Sequence, residues 1–303
     1  MVDISTSISG IKLKNPTMLA AGILGETGDS LLKIAKGGAG ALVTKSIGIE
    51  PREGHPNPTF VETEHGIINA MGLPNPGIEG YEEEVKKALT VGIPLVGSIF
   101  GGNIEEFEFL AMKMEDYGVH AIELNLSCPH AKGYGAELGH DKEKVEEITK
   151  AVKEKVKLPI LVKLSPNVSN ISEIAKTVEK AGGDGIVAIN TLRAMAINAE
   201  ISKPILANAI GGYSGPGIKP IGLRCVFEIK AFTNLPIIGV GGILSGKDAV
   251  EYIMAGASAV QIGSGVYYKG EGIFDEICQQ IREFMETHGY GTIEEMVGIA
   301  GKR

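Results

Sequence analysis

The sequence predicts an α/β fold of one kind, a closed (β/α)₈ barrel of the TIM type with insertions at the C-terminal ends of its strands. Three observations lead there. Eight short apolar segments recur along the 303 residues, amphipathic helical stretches separate most of them, and polar residues or glycines finish the strands. Such barrels fold undivided at this length. No interdomain linker, low-complexity tract or repeat beyond the strand–helix unit breaks the sequence, so residues 1–303 are read as one domain.

The segments are PTMLAAG (16–22), ALVTKS (41–46), PLVGSI (94–99), AIELNLS (121–127), PILVKLS (159–165), GIVAIN (185–190), PIIGVGG (236–242) and AVQIGS (259–264). Near-continuous apolar runs are what parallel strands need when helices cover their sheet. Between them, residues 141–156 place Val145, Ile148, Val152 and Val156 on one helical face. In residues 170–183, Asn170 suits an N-cap, Ile171, Ile174, Ala175 and Val178 form the apolar stripe, and Gly182 ends it. An open doubly wound sheet is the competing fold, but no G-x-G-x-x-G follows the first strand. Two connections exceed simple loops: 47–78, with Pro51, Pro56, Pro58, Pro74 and Pro76, and 191–218. Both follow a strand and are expected to be structured insertions over the barrel mouth.

Composition excludes several function classes. A net charge of −8 without clustered Lys and Arg argues against a nucleic-acid partner. The opening MVDISTSISG has no basic or apolar region of a signal peptide, and no apolar run reaches membrane-spanning length, so a cytoplasmic protein is expected. Three scattered cysteines do not make a disulfide framework and fall short of the four ligands an iron–sulfur cluster takes. Six dispersed histidines, with no H-E-x-x-H and no C-x-x-C, give no metal site. GGILSGKD (241–248) approaches a nucleotide P-loop, but Asp248 stands where that loop needs Ser or Thr to hold Mg²⁺.

The strand ends carry the chemistry. Lys45, Ser98, Asn125, Ser127, Lys163, Asn190, Thr191, Gly241, Gly242, Gly263 and Ser264 all fall there, and a buried apolar strand has no structural need to finish in Lys or Asn. Glycines ending strands seven and eight let backbone N–H groups approach an anion, the usual phosphate position in barrels. Cys128 follows the fourth strand directly, ahead of a loop with Gly133, Gly135 and Gly139, and is well placed as a general base; Cys225 and Cys278 are read as inert small hydrophobes. Asn69, Asn125 and Asn190 come from separate stretches expected to converge, and their mixed donors and acceptors suit a flat heterocycle. Lys45 and Lys163 add the positive charge that stabilises a reduced, anionic flavin ring.

Together the pieces NAMGLPNPG (69–77), ELNLSCP (123–129), VKLSPNV (162–168), INTL (189–192), GGYSGPGIKP (211–220) and IIGVGG (237–242) resemble the class 1 dihydroorotate dehydrogenases over nearly the whole chain, most closely class 1B. The resemblance implies oxidation of dihydroorotate to orotate in pyrimidine synthesis, with FMN at the barrel mouth. It implies FMN contacts from Ala21, Lys45, Ser46, Asn125, Lys163, Ile189, Gly215, Gly241, Gly242, Gly263 and Ser264. It implies substrate contacts from Lys45, Asn69, Ala70, Met71, Gly72, Leu73, Asn125, Asn190 and Thr191, with Cys128 as catalytic base. Class 1B also implies a partner subunit carrying FAD and a [2Fe–2S] cluster that passes electrons to NAD⁺, around a homodimer core within a heterotetramer. One position departs: Ser98 stands where relatives place Asn beside the flavin.

Three other readings remain open on the residues alone. They are a flavin barrel acting on another dihydropyrimidine, a non-redox lyase or isomerase holding a substrate phosphate, and a ligand-binding subunit without catalysis. Fold does not separate them.

Overall fold

In the computed structural model of the chain, which describes residues 2–126 and 138–302, each of the eight apolar segments contains a strand. These are β1 (Thr17–Leu19), β2 (Leu42–Val43), β3 (Leu95–Ile99), β4 (Ala121–Asn125), β5 (Ile160–Leu164), β6 (Gly185–Ala188), β7 (Ile237–Val240) and β8 (Ala259–Ile262). All are parallel, in the hydrogen-bonded order β1–β8–β7–β6–β5–β4–β3–β2. A parallel bridge between Met18 and Ala41, with the Leu19 N–H donating to the Ala41 carbonyl at 3.1 Å, brings β1 against β2 and closes the barrel. The chain therefore forms the (β/α)₈ barrel that its sequence predicts.

Helices α1 (Gly28–Lys36), α2 (Glu82–Leu89), α3 (Ile104–Asp116), α4 (Lys142–Lys155), α5 (Ile171–Lys180), α6 (Lys219–Lys230) and α7 (Gly246–Ala255) each follow one strand. After β8 come a short α8 (Ser264–Lys269) and a long α9 (Ile273–His288). In α4 the buried face is Val145, Ile148 and Val152, and Val156 closes the helix as its C-cap. The Asn170 side chain caps α5 by accepting from the N–H groups of Ser172 and Glu173, and Ile171, Ile174, Ala175 and Val178 are buried beneath. Burial of such stripes, rather than propensity, holds helices of this length in place.

Side chains alternate across each strand, so every second residue enters the barrel. Met18, Ala41, Val43, Val96, Ala121, Leu161, Val187, Ile238 and Ala259 make one apolar cluster inside. An antiparallel hairpin, Thr6–Ile8 with Ile11–Leu13, adds Ile8 and Leu13 to that cluster. Its Thr6 hydroxyl donates to the Ser258 carbonyl at 3.0 Å and its Ser9 hydroxyl to the Asp184 carbonyl at 2.7 Å, residues that directly precede β8 and β6. The hairpin therefore seals the N-terminal end of the barrel, which the sequence reading left without an element.

The two long connections are structured, as expected, and they join. Phe60–Thr63 and Gly66–Asn69 from the first pair with Leu192–Met195 and Ile210–Ser214 from the second in one four-stranded antiparallel sheet. Gly212 stands opposite Asn69 across the join. Among the described residues, no helix is long and apolar enough to cross a membrane.

Candidate functional site

A cavity of about 330 Å³ opens at the C-terminal ends of the strands, between the barrel and the inserted sheet, within the size range of small-molecule sites. Residues of β1, β2, β4, β5, β6, β7 and β8 or of the turns after them reach it, because interior-facing positions continue past each strand end. Ala21, Lys45, Ser46, Asn125, Lys163, Ile189, Asn190, Thr191, Gly241, Gly242, Gly263 and Ser264 line it from the barrel side. Asn69, Met71, Gly72 and Leu73 line it from the insertion.

Of the described residues expected to contact cofactor or substrate, Ala70 and Gly215 are not on that lining. Ala70 is fully buried in a small apolar cluster with Ile68 and Leu206, because the strand pleat turns it away from its neighbours. Gly215 sits one position past the lining residue Ser214, and its carbonyl packs against Gly242. Ser127 and Cys128, with Pro129, Gly133 and Gly135, lie outside the described residues.

At the ends of β7 and β8 the backbone makes a cradle. Gly241 and Gly242 are buried with φ of +130° and +70°, values that L side chains rarely adopt. A Cβ on Gly242 would stand 2.7 Å from the Gly215 carbonyl oxygen. Among the described residues, the N–H groups of Gly242 and Gly263 have no hydrogen-bond partner. Behind the cradle, Lys219 bridges Asp248 at 2.6 Å and Glu251 at 2.8 Å. Burial works against ionisation of Asp248, but hydrogen bonds from Lys219, the Leu244 N–H and Ser245 outweigh it and hold the carboxyl below its usual range. Asp248 thus tightens the start of α7, a structural role consistent with its misfit to a P-loop.

One wall is a chain of hydrogen bonds. The Asn190 amide donates to Asn125 Oδ1 at 3.3 Å, Asn125 Nδ2 donates to Ser46 Oγ at 3.0 Å, and the Ser46 and Ser98 hydroxyls lie 2.9 Å apart. Ser98 is fully buried and off the lining, so it supports Ser46 from behind. Each member restrains the next, which sets the direction in which Asn125 presents its amide.

The floor is charged. Glu123 and Lys163 are the two charged side chains buried among the described residues. Lys163 Nζ lies 3.6 Å from Glu123 Oε1, and Gln261 Nε2 donates to Glu123 Oε2 at 2.7 Å. Neither Glu123 nor Gln261 was singled out in the sequence, although Gln261 lines the cavity. The available signal was parity: Glu123 precedes Asn125 by two positions, and Gln261 precedes Gly263 by two, so both share the interior face.

Cys225 and Cys278 are buried away from the cavity, and burial pushes both thiols up to about 11, in keeping with an inert role. Among the described residues, no cluster of His, Cys, Asp and Glu could hold a metal ion.

Comparison with known proteins agrees along the whole chain. Residues 3–285 match the sequence model of the family described as Dihydroorotate dehydrogenase. A protein of Thermoplasma volcanium is 56% identical over 303 residues, 100% of each chain. A protein of Methanocaldococcus jannaschii is 55% identical over 301 residues, 98% of each chain. One of Pyrococcus furiosus is 52% identical over 301 residues, 99% of this chain and 100% of its own. All three carry the name "Dihydroorotate dehydrogenase B (NAD(+)), catalytic subunit".

Proposed function

The chain belongs to the dihydroorotate dehydrogenase family, and from that premise we propose that it is the catalytic subunit of an NAD⁺-linked dihydroorotate dehydrogenase with FMN as its cofactor. The observation that carries this reading is the convergence, on one cavity, of a glycine cradle with unpartnered N–H groups, two lysines and three asparagines.

The residues present fit FMN. Backbone donors at the buried Gly242 and the half-buried Gly263 suit a phosphate, with Gly241 and Ser264 beside them and Gly215 supporting Gly242. Lys45, Ser46, Asn125, Lys163, Ile189 and Ala21 would surround the ring system. When bound, FMN supplies the acceptor for the hydride that leaves C6 of dihydroorotate.

The chain's own residues do the rest. Asn69, Asn125, Asn190 and Thr191, with the Met71–Leu73 segment and Lys45, would orient the pyrimidine ring and its carboxylate by complementary donors and acceptors. Cys128, two positions beyond Leu126 at the end of β4, takes the C5 proton as general base; its Sγ carries that proton until exchange with solvent. We propose further that the chain is a single domain acting in the cytoplasm, forms the homodimeric core of a heterotetramer, and hands electrons to a partner carrying FAD and a [2Fe–2S] cluster.

The test is an anaerobic visible spectrum of the purified protein before and after dihydroorotate. The expected result is a flavin spectrum that bleaches, and Cys128→Ser should keep the flavin but slow bleaching, most severely near neutral pH where Ser is the poorer base. A flavin that bleaches with another dihydropyrimidine alone would redirect the substrate. A protein that stays colourless with added FMN would leave a non-redox phosphate site.

A further inference from the structure

In the Glu123–Lys163–Gln261 group beneath the cavity, Glu123 and Gln261 have so far no role. A lone buried charge is expensive, and a buried pair missing one partner is strongly destabilised. Here the pairing is specific. β4 and β5 are neighbours in register, with Asn125 opposite Lys163, so the Lys163 head reaches back one inward position to Glu123. Gln261 reaches Glu123 from β8, on the far side of the barrel. A carboxylate only accepts, so the Gln261 amide must turn its nitrogen toward Glu123. That bond leaves Oε1 of Glu123 toward the lysine, and both Glu123 Oε1 and Gln261 Oε1 are buried without a hydrogen-bond partner. At 3.6 Å the lysine makes an ion contact with Glu123 and keeps its N–H groups available to whatever occupies the cavity.

We infer that Glu123 is a positioning residue: held by Gln261, it is the buried counter-charge that seats the Lys163 ammonium at the cavity floor, so that the lysine sets the reduction potential of the bound flavin. The inference rests on the flavin reading above. On the neighbouring elements are Ser98 on β3 and Asn125 on β4, both uncharged, and Lys45 after β2, among the described residues the one other charged residue on the cavity lining. Without Glu123 the Lys163 ammonium is an uncompensated buried charge, which is relieved by withdrawal of the side chain from the floor. That withdrawal removes positive charge from beside the flavin and weakens its reduced, anionic form.

The experiment is a double-mutant cycle on the flavin-loaded protein, with Glu123→Gln, Lys163→Met and both together, reading the midpoint potential of the bound flavin. Expected is a lower potential in Glu123→Gln, amounting to at least about a tenfold loss in relative affinity for reduced flavin, about 30 mV for a two-electron couple. The double variant should match Lys163→Met alone, and Glu123→Asp, which keeps the charge, should restore most of the potential. An unchanged potential in Glu123→Gln overturns the inference, since a purely structural role would do that. An equal shift in the Lys163→Met background also overturns it, because Glu123 would then act on the flavin directly. Should Glu123→Gln fail to fold, the double variant, which buries no charge, is compared with Lys163→Met: equal potentials support the inference and unequal ones overturn it. If the protein takes up no flavin, the functional reading fails by itself. The same cycle read as unfolding equilibria then decides the pairing, with coupled losses supporting it and additive losses overturning it.

Discussion

At the scale of single residues, the site depends on positions where a side chain would not fit. Gly242 combines φ of +70° with a Cβ position 2.7 Å from the Gly215 oxygen, whereas a Cβ on Gly263 would meet nothing nearer than the Ala20 Cβ at 3.5 Å. Gly242→Ala is therefore expected to cost about 1–3 kcal/mol, through backbone strain and displacement of Gly215. It should also lose flavin on gel filtration, while Gly263→Ala stays folded at wild-type stability. Denaturant unfolding of the two variants, with their visible absorbance, checks this. Equal stabilities would mean that the Gly242 backbone relaxes freely. The glycines themselves were legible in the sequence as a pair of strand-end features, but their unequal tolerance was not, because it depends on Gly215, which lies 27 positions before Gly242.

At the scale of elements, local signals and long-range pairings separate cleanly. The N-cap of α5 was legible because Asn170 bonds within its own turn, accepting from Ser172 N at 3.1 Å and Glu173 N at 3.3 Å. Asn170→Ala should lower stability by about 1 kcal/mol and leave flavin binding untouched, as measured by urea unfolding and absorbance. A change below a few tenths would mean water replaces the cap without cost. The inserted sheet is the opposite case. Proline-rich composition announced structure in 47–78, yet the pairing of Gly66–Asn69 with Ile210–Ser214 joins segments far apart in the chain, and no local pattern encodes that register.

At the scale of the whole molecule, barrel closure buries thiols and phenols whose ionised forms the interior rejects. Burial pushes Cys225 and Cys278 up to about 11, and it raises Tyr81 and Tyr252 as well. A folded-state value above the unfolded one means stability that is fully present below the unfolded thiol value, about 8.5, and lost as pH rises through the folded one. Thermal melting should therefore be flat from neutral pH to about 8.5 and fall steadily toward pH 11. The fall should be shallower in Cys225→Ala with Cys278→Ala, measured against each variant's own neutral value. An alkaline limb identical in slope with and without the two thiols would assign it to the tyrosines alone.

The amino-acid sequence by itself determined the eight strands, the helices that follow them and the end of the barrel that carries polar chemistry. Apolar runs, helical stripes and caps act over a few residues, and strand-end Lys, Asn and Gly stand out against them. Only the tertiary structure decided that Glu123, Lys163 and Gln261 meet beneath the cavity, that Ala70 turns away from it and that the two insertions form one sheet. Those outcomes depend on which strands become neighbours and on which side of the pleat faces inward. Closure of the barrel sets both, through contacts between residues as far apart as Glu123 and Gln261, 138 positions along the chain.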